Sequence, residues 1–500
     1  MNYKTLKFSM YALLGFFAIS ACTDLEPTIR DSQLREGVGG VFVPGDPGEA
    51  LSSSYKDLST LISQDGTYCL YEHTSDEMIP PTRGTDWGDN GIWRSLHAHT
   101  WDATHRYVRD SWNNLNQRVF KCNQVLASNP NAQQAAEAKF LRAFYMFHVM
   151  DLFGQVPFRN VDEGVEVNPK VFTRAEAFDL ITRDLEEALP NLPNTGPTAT
   201  NSKATRAAAN AMLARLYLNK AVYKAANPAG PYTFDPADMN KVIGYCDAVT
   251  AAGYALESNY FTNFSTSAAT EIILTSAEGT PESRWAMTLH YDNNPSGWNG
   301  FTTLADFYDK FETGDQRKGI AATPNGSQYS GLGRGFLLGP QFKDNGDPVA
   351  NMRSGGIPLV FTREVKLSGA DNFEGIRVIK YHPSNRGQYI LLRYADVYLM
   401  KAEAIMRGGT AGVTALSLVN DLRQLRGATP LGALNDASML DERGRELYWE
   451  GIRRIDQVRF GTWDDTWGSK TVTESFRVLY PIPQQALDSN PNLVQNEGYK

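Results

Sequence analysis

Apolar residues recur at helical spacing in paired segments along this chain, and between about residues 253 and 387 that spacing disappears. Such a pattern constrains the fold to an array of stacked helical hairpins interrupted by one long, irregular insertion. Phe140, Leu141, Phe144 and Phe147 form one stripe, which ends at Gly154 with Pro157 beyond it. Thr173 and Glu176 form a capping box ahead of Phe178, Ile181, Leu185 and Leu189, and Pro190 closes that partner helix. A second pair joins the Ala-rich Ala207–Tyr217 to a helix that Asp235-Pro236 opens and Gly253 ends. A third runs from Leu392 to Met406, halts at Gly408-Gly409, and continues from Ala415 to Leu425. A further pair, Ala50–Ile62 with Trp112–Leu126, makes four. The spacing between pairs is uneven and the strict tetratricopeptide pattern is absent, so the array rests on pairing alone.

The N-terminus carries the layout of an export signal. Lys4 and Lys7 precede an apolar stretch from Phe8 to Ser20, and Ile19-Ser20-Ala21-Cys22 closes it. Cys22 fits the acylation site of a bacterial lipoprotein. This predicts a signal peptide at 1–21, a Gly- and Pro-rich tether at 22–48, and a single domain at 49–500. Its helix pairs are expected at about 50–252 and 388–460. No later run reaches the roughly 20 apolar residues of a membrane span, so the membrane is expected to be met through the anchor only. Formal net charge is -8, more negative once Lys4 and Lys7 leave, and no basic block occurs, which argues against nucleic acid. Cys69, Cys122 and Cys246 are odd in number and widely spaced, which speaks against a disulfide framework and against zinc ribbons.

Near the C-terminus, Ser438 with Asp441 predicts one helix running to Gly461. Its acids Glu446, Glu450 and Asp456 and its bases Arg443, Arg453, Arg454 and Arg459 are expected to pair among themselves. This segment, with Glu450-Gly451 and Arg459-Phe460-Gly461, resembles the signature helix of the SusD/RagB family of outer-membrane nutrient-binding lipoproteins. Pro481-Ile482-Pro483, Asn490-Pro491-Asn492-Leu493, Gln495-Asn496 and Gly498-Tyr499 are similar to that family's closing segment. Leu391–Ala404 and Phe140–Pro157 resemble two more of its recurring stretches. Gly444 departs from the pattern, where a better helix former is usual. The resemblance implies a mainly α, SusD-like fold with four tetratricopeptide-like helix pairs and a loop-rich ligand-binding half. It further implies a lipid-anchored protein exposed at the cell surface that is not an enzyme. Such a protein captures oligosaccharides or polysaccharide and delivers them to a SusC-type TonB-dependent transporter. A peptide-binding RagB-like role and a glycoside hydrolase are the alternatives.

Sugars offer flat C–H faces that stack on indole and phenol rings and hydroxyls that bind Asp, Asn and Arg. Arg83, Asp86, Trp87, Asp89, Asn90 and Trp93 supply this chemistry in one loop. Trp285, Tyr291 and Trp298, among Asn293, Asn294 and Asn299, supply it in a second. Trp101, Trp112 and Trp449 fall within or open amphipathic helices and are expected in the core. The stretch Thr67–Trp101 holds Glu72, Asp76, Glu77, Asp86 and Asp89 against Arg83 and Arg94, which predicts a neutral glycan. His97, His99 and His105 lack the further ligands of a metal site. Glu446 and Glu450 lie on one side of a helix and cannot flank a glycosidic bond. No cofactor is expected, and a structural calcium ion is left open.

Overall fold

The computed structural model describes residues 35–36, 42–164, 166–277 and 282–499. The leader, Cys22 and most of the tether lie outside them. Helices dominate. The first, α1 (Pro47–Lys56), begins inside the stretch expected as tether, because Asp46 accepts the Glu49 backbone N–H and Pro47 presets the first turn. There follow α2 (Arg106–Ala127), α3 (Ala132–Phe153), α4 (Arg174–Ala188), α5 (Arg206–Leu218) and α6 (Pro236–Ala251). After the insertion come α7 (Tyr394–Met406), α8 (Ala415–Leu425), α9 (Asp436–Leu447) and α10 (Arg453–Phe460).

Each helix from α2 to α6 packs on the next, and α1 lies on both α2 and α3. The helix α6 then packs on α7, which also touches α5, α8 and α9, so the two helical runs share one body. Local chemistry sets the ends. Capping boxes start α3 at Asn131 and α4 at Thr173, while Gly154, in the left-handed region, stops α3. The small residues of α5 let it sit buried between neighbours along all but Arg206 and Asn210. Trp101, Trp112 and Trp449 lie in the core, and Cys69, Cys122 and Cys246 are buried, free thiols.

The insertion folds as short strands and single turns. Thr302–Thr303 pairs antiparallel with Met78–Ile79, Arg334–Leu337 with Arg377–Ile379, and Ile272–Ser276 with Tyr389–Arg393. The last pairing joins the insertion's start to the strand that leads into α7.

The expected single helix from Ser438 to Gly461 is two. Asn435 is the cap and Ser438 its capping-box partner, and the chain breaks between Leu447 and Arg453, where Trp449 and Gly451 take positive φ. Buried carboxylates hold the break: Glu77 accepts the Trp449 N–H and Glu72 that of Gly451. The charges pair in part with one another, Arg443 and Arg459 with Asp456 and Arg445 with Glu442, but chiefly with distant segments. Glu446 is clasped by Arg317, Arg393 and Arg426 at 3.2, 3.0 and 2.9 Å. Glu450 meets Lys380 at 2.5 Å and Arg393 at 2.7 Å. Arg453 reaches Asp76, Arg454 reaches Asp151, and Arg459 reaches Glu403. Arg443 bonds Asp456 and Asp396. Gly444 has a purpose here, since a Cβ would stand 2.8 Å from the Arg453 guanidinium. In a low-dielectric interior these ions persist only because each is paired and hydrogen-bonded.

Candidate functional site

The loop after Ile79 and the hairpin before Phe301 meet at the surface. Arg83 and Asp86 exchange backbone hydrogen bonds of 3.0 Å, a turn that Gly84 and Trp87 complete with positive φ. Asp89, Asn90 and Asn299 share that uncommon backbone region, and strain of this kind in non-glycine residues gathers where surrounding structure holds a functional loop. In the facing hairpin the Asn299 N–H donates to Leu289 and those of Gly300 and Phe301 to Met287. Gly297 and Gly300 permit this closeness: a Cβ at Gly297 would lie 2.2 Å from the Leu289 carbonyl oxygen, and one at Gly300 would lie 2.7 Å from the Trp87 indole.

Two buried arginines clamp the loops from beneath. Arg83 Nε donates to the Asn299 carbonyl at 2.9 Å and its Nη atoms to the carbonyls of Asp371 and Glu374. Arg377 donates to Asn299 Oδ1 at 2.6 Å and to the Asn372 carbonyl at 2.9 Å. Burial lowers the Arg83 guanidinium to about 10, which still leaves it charged at neutral pH. The ion-paired core reaches this site through Asp76–Arg453, which fixes the chain entering the first loop, and through Lys380–Glu450, next to the strand that carries Arg377.

On this base sit the rings. Trp298 is 45% exposed and its carbonyl accepts the Trp87 Nε1–H at 2.9 Å. Trp87 is half-buried, edge-on to Trp93 at 5.6 Å and tilted against Phe301 at 4.7 Å. Tyr291 is half-buried; its hydroxyl donates to Asp86, and burial together with that bond pushes it up to about 12. The same bond, with Arg353, holds the Asp86 carboxyl below its usual value. Arg353 lies 3.6 Å from the Tyr291 ring centroid and pairs with Asp86 at 2.7 Å. Met352, 68% exposed, donates its N–H to Asp292.

Several expected contributors stand elsewhere. Trp93 is 3% exposed, its Nε1–H held by Asp89 at 2.7 Å, so it supports Trp87 from below instead of offering a face. Arg83 and Asn299 are clamps, and Asn293 closes a turn by accepting the His290 N–H. Trp285 packs between two apolar clusters. Asp86, Asp89 and Asn90 reach the surface, as does Asn294. The charge count over Thr67–Trp101 does not describe this surface, because Glu72, Glu77 and Arg83 are buried and Asp76 pairs with Arg453. Arg353, Met352 and Asp292 were not legible as site residues. Gly355-Gly356 marks a turn after Arg353, but nothing in the sequence places that turn beside Tyr291.

Catalytic chemistry finds no dyad in the proposed acids. Burial alone would push Glu446 up, but Arg426, Arg393 and Arg317 outweigh it and hold the carboxyl far below its usual range, which leaves no proton to donate. The histidines are core residues, with His97, His99 and His105 on the carbonyls of Met78, Thr74 and Ile92.

A family model described as "SusD family" matches residues 375–499, and one described as "Starch-binding associating with outer membrane" matches 65–218. The starch-binding protein SusD of Bacteroides thetaiotaomicron is 27% identical over 493 residues, covering 86% of this chain and 83% of its own. A SusD-like protein, P25, of Formosa agariphila is 24% identical and covers 94% and 93%. Among solved structures, a laminarin-binding SusD-like protein aligns with a TM-score of 0.66 at 22% identity, over 91% of this chain and 99% of its own. Surface glycan-binding protein A of B. thetaiotaomicron, in complex with laminarihexaose, aligns with a TM-score of 0.66 at 19% identity, over 90% and 98%. The chain is thus similar to SusD-family proteins over both matched segments, and its fold is SusD-like.

Proposed function

We propose that this protein is a cell-surface glycan-binding lipoprotein, with the patch of Trp298, Trp87 and Tyr291 as its glycan platform. The observation that carries this reading is the Trp298 indole, nearly half exposed on a hairpin held rigid by Gly297, Gly300 and the clamped Asn299. A large apolar ring kept in water by so much buried structure is a surface awaiting a flat partner. Asp86, Asp89, Asn90 and Arg353 surround it with hydroxyl-binding groups. Relatives named for starch, laminarin and laminarihexaose point the same way.

In this reading Cys22 carries the acyl anchor at the outer membrane, and the captured chain passes to a SusC-type TonB-dependent transporter. No helix among the described residues is long and apolar enough to cross a membrane, in keeping with attachment through the anchor. The ligand is a neutral glycan: the Arg353 charge at the platform is already matched by Asp86, while Asp89 adds negative charge. Binding is noncovalent and no bond is cleaved.

Affinity electrophoresis through gels cast with starch, laminarin or polygalacturonate tests this. Retardation by a neutral glucan, lost in Trp298→Ala and without release of reducing ends, is expected. Tighter retention by polygalacturonate would overturn the neutral ligand; reducing ends would overturn the binding role.

A further inference from the structure

Arg353 occupies part of the platform that it borders. Its hairpin is held in place: Ala350–Asn351 pairs antiparallel with Ile357–Pro358, and the Gly356 N–H donates to the Asn351 carbonyl at 2.8 Å across a turn in which Gly355 and Gly356 take positive φ. The buried Asn351 donates its Nδ2–H to Asn372 Oδ1 at 2.8 Å, and Asp292 accepts the Met352 N–H at 2.9 Å. The backbone leading to Arg353 is thus anchored, while its side chain is 54% exposed and has room to swing.

That side chain lies on Tyr291. The guanidinium carbon stands 3.6 Å from the ring centroid, and Nη1 donates at 2.7 Å to Asp86 Oδ2, the same oxygen that accepts the Tyr291 hydroxyl. Because Arg353 is itself exposed, the ring face beneath it is the one turned toward solvent; His290 meets the ring edge-on, with centroids 5.3 Å apart. A sugar that stacks on Tyr291 needs that same face, and guanidinium and pyranose cannot share it. The contacts that hold Arg353 there are weak enough to yield, since an exposed cation–π contact or an exposed ion pair each shifts an equilibrium by about two- to fivefold.

We propose that Arg353 is a specificity-determining latch, resting on the platform reading above: it covers Tyr291 and is displaced when a glycan chain reaches from Trp298 onto that ring. A chain already seated on Trp298 presents its next sugar to Tyr291 at high effective concentration. A single sugar settles on the open Trp298 ring and leaves the latch shut. Displacement also releases Asp86 Oδ2 to accept a sugar hydroxyl.

Saturation-transfer NMR on the full chain, with laminarihexaose, maltohexaose and glucose as probes, tests this. Arg353→Ala removes a surface side chain and should fold as the wild type does. It is expected to bind a hexasaccharide about fivefold more tightly, while glucose, which one ring holds, changes by less than about twofold. The gain should vanish in a Tyr291→Ala background. Raising NaCl from about 0.05 to 0.5 M screens the Asp86–Arg353 pair and should tighten hexasaccharide binding by the wild type but not by Arg353→Ala. A hexasaccharide affinity that Arg353→Ala lowers or leaves unchanged, an equal gain for glucose, a gain that survives Tyr291→Ala, or wild-type binding indifferent to salt would each overturn the latch, and the platform would stand so long as Trp298→Ala weakens binding. Undiminished binding by Trp298→Ala, or no binding of either hexasaccharide by the wild type, would overturn the platform and the latch with it.

Discussion

Trp298, in a loop, and Trp93, in the short helix Ile92–His97, are the same residue type in neighbouring segments, and only their surroundings separate a platform from a prop. Burying one sugar face of about 60 Å² contributes roughly 1.5 kcal/mol at 25 cal/mol per Å². Trp298→Ala is therefore expected to weaken glycan binding about tenfold with Tm unchanged, readable by titration calorimetry beside a melting curve. Gly300→Ala acts by another route. Its Cβ would lie 2.7 Å from the Trp87 indole and from the Met287 carbonyl oxygen, so Trp87 must move. Overpacking of this kind costs about 1–3 kcal/mol, and both stability and binding should fall; a variant with native affinity would show that Trp87 is not part of the platform. At this scale the sequence disclosed which residue types could stack. It did not disclose that the Trp93 ring turns inward, because the Asp89 carboxylate that receives its N–H and the Phe301 that covers it come from backbone geometry and from a distant segment.

Elements divide by how local their causes are. The C-terminal end of α3 and the start of α4 were legible because a terminal glycine and a capping box act within a few residues. Thr173→Ala should cost about 1 kcal/mol, measurable as a shift in the urea midpoint. The break between α9 and α10 was not legible: the residues there read as continuous helix, and the carboxylates that open it, Glu72 and Glu77, lie far away in the chain. The partners of that segment's charges were hidden for the same reason. Arg393 bonds Glu271, Glu446 and Glu450 together. Arg393→Met removes one counter-charge from each of these three acids, which keep Arg426, Arg317 and Lys380, and breaking buried pairs costs about 3–5 kcal/mol. Chemical denaturation should read that loss, and a change below about 1 kcal/mol would mean that the network is not part of the stabilising core.

For the whole molecule the buried carboxylates predict a stability maximum at mildly acidic pH. Glu403 and Glu442 are buried, which alone would raise them, but Arg459 and Arg407 around the first and Arg317, Arg445 and Arg423 around the second hold each near 2. Their contribution is present above the ordinary glutamate value of 4.5 and is lost as pH falls from there toward about 2. Glu72 and its neighbour Glu77 behave oppositely: burial raises Glu72 from 4.5 to about 7 and, with the Glu72 charge, holds Glu77 well above its ordinary value, so the folded chain keeps protons here that the unfolded chain releases. Stability is therefore lost as pH rises from about 4.5 through about 7. Melting curves across that window should show a falling Tm that Glu72→Gln flattens, and an unaltered slope in that variant would refute the assignment. The sequence by itself determined the helical pairs, their caps, the long insertion between them and the aromatic supply of its loops, because periodicity, capping and side-chain chemistry are local. Tertiary structure alone decided which rings face water, that Arg353 joins Tyr291 and Asp86, and that the charged C-terminal helices form a buried ionic core. Each of those depends on segments tens to hundreds of residues apart meeting in space, and burial, which sets both exposure and charge, is a property of that meeting.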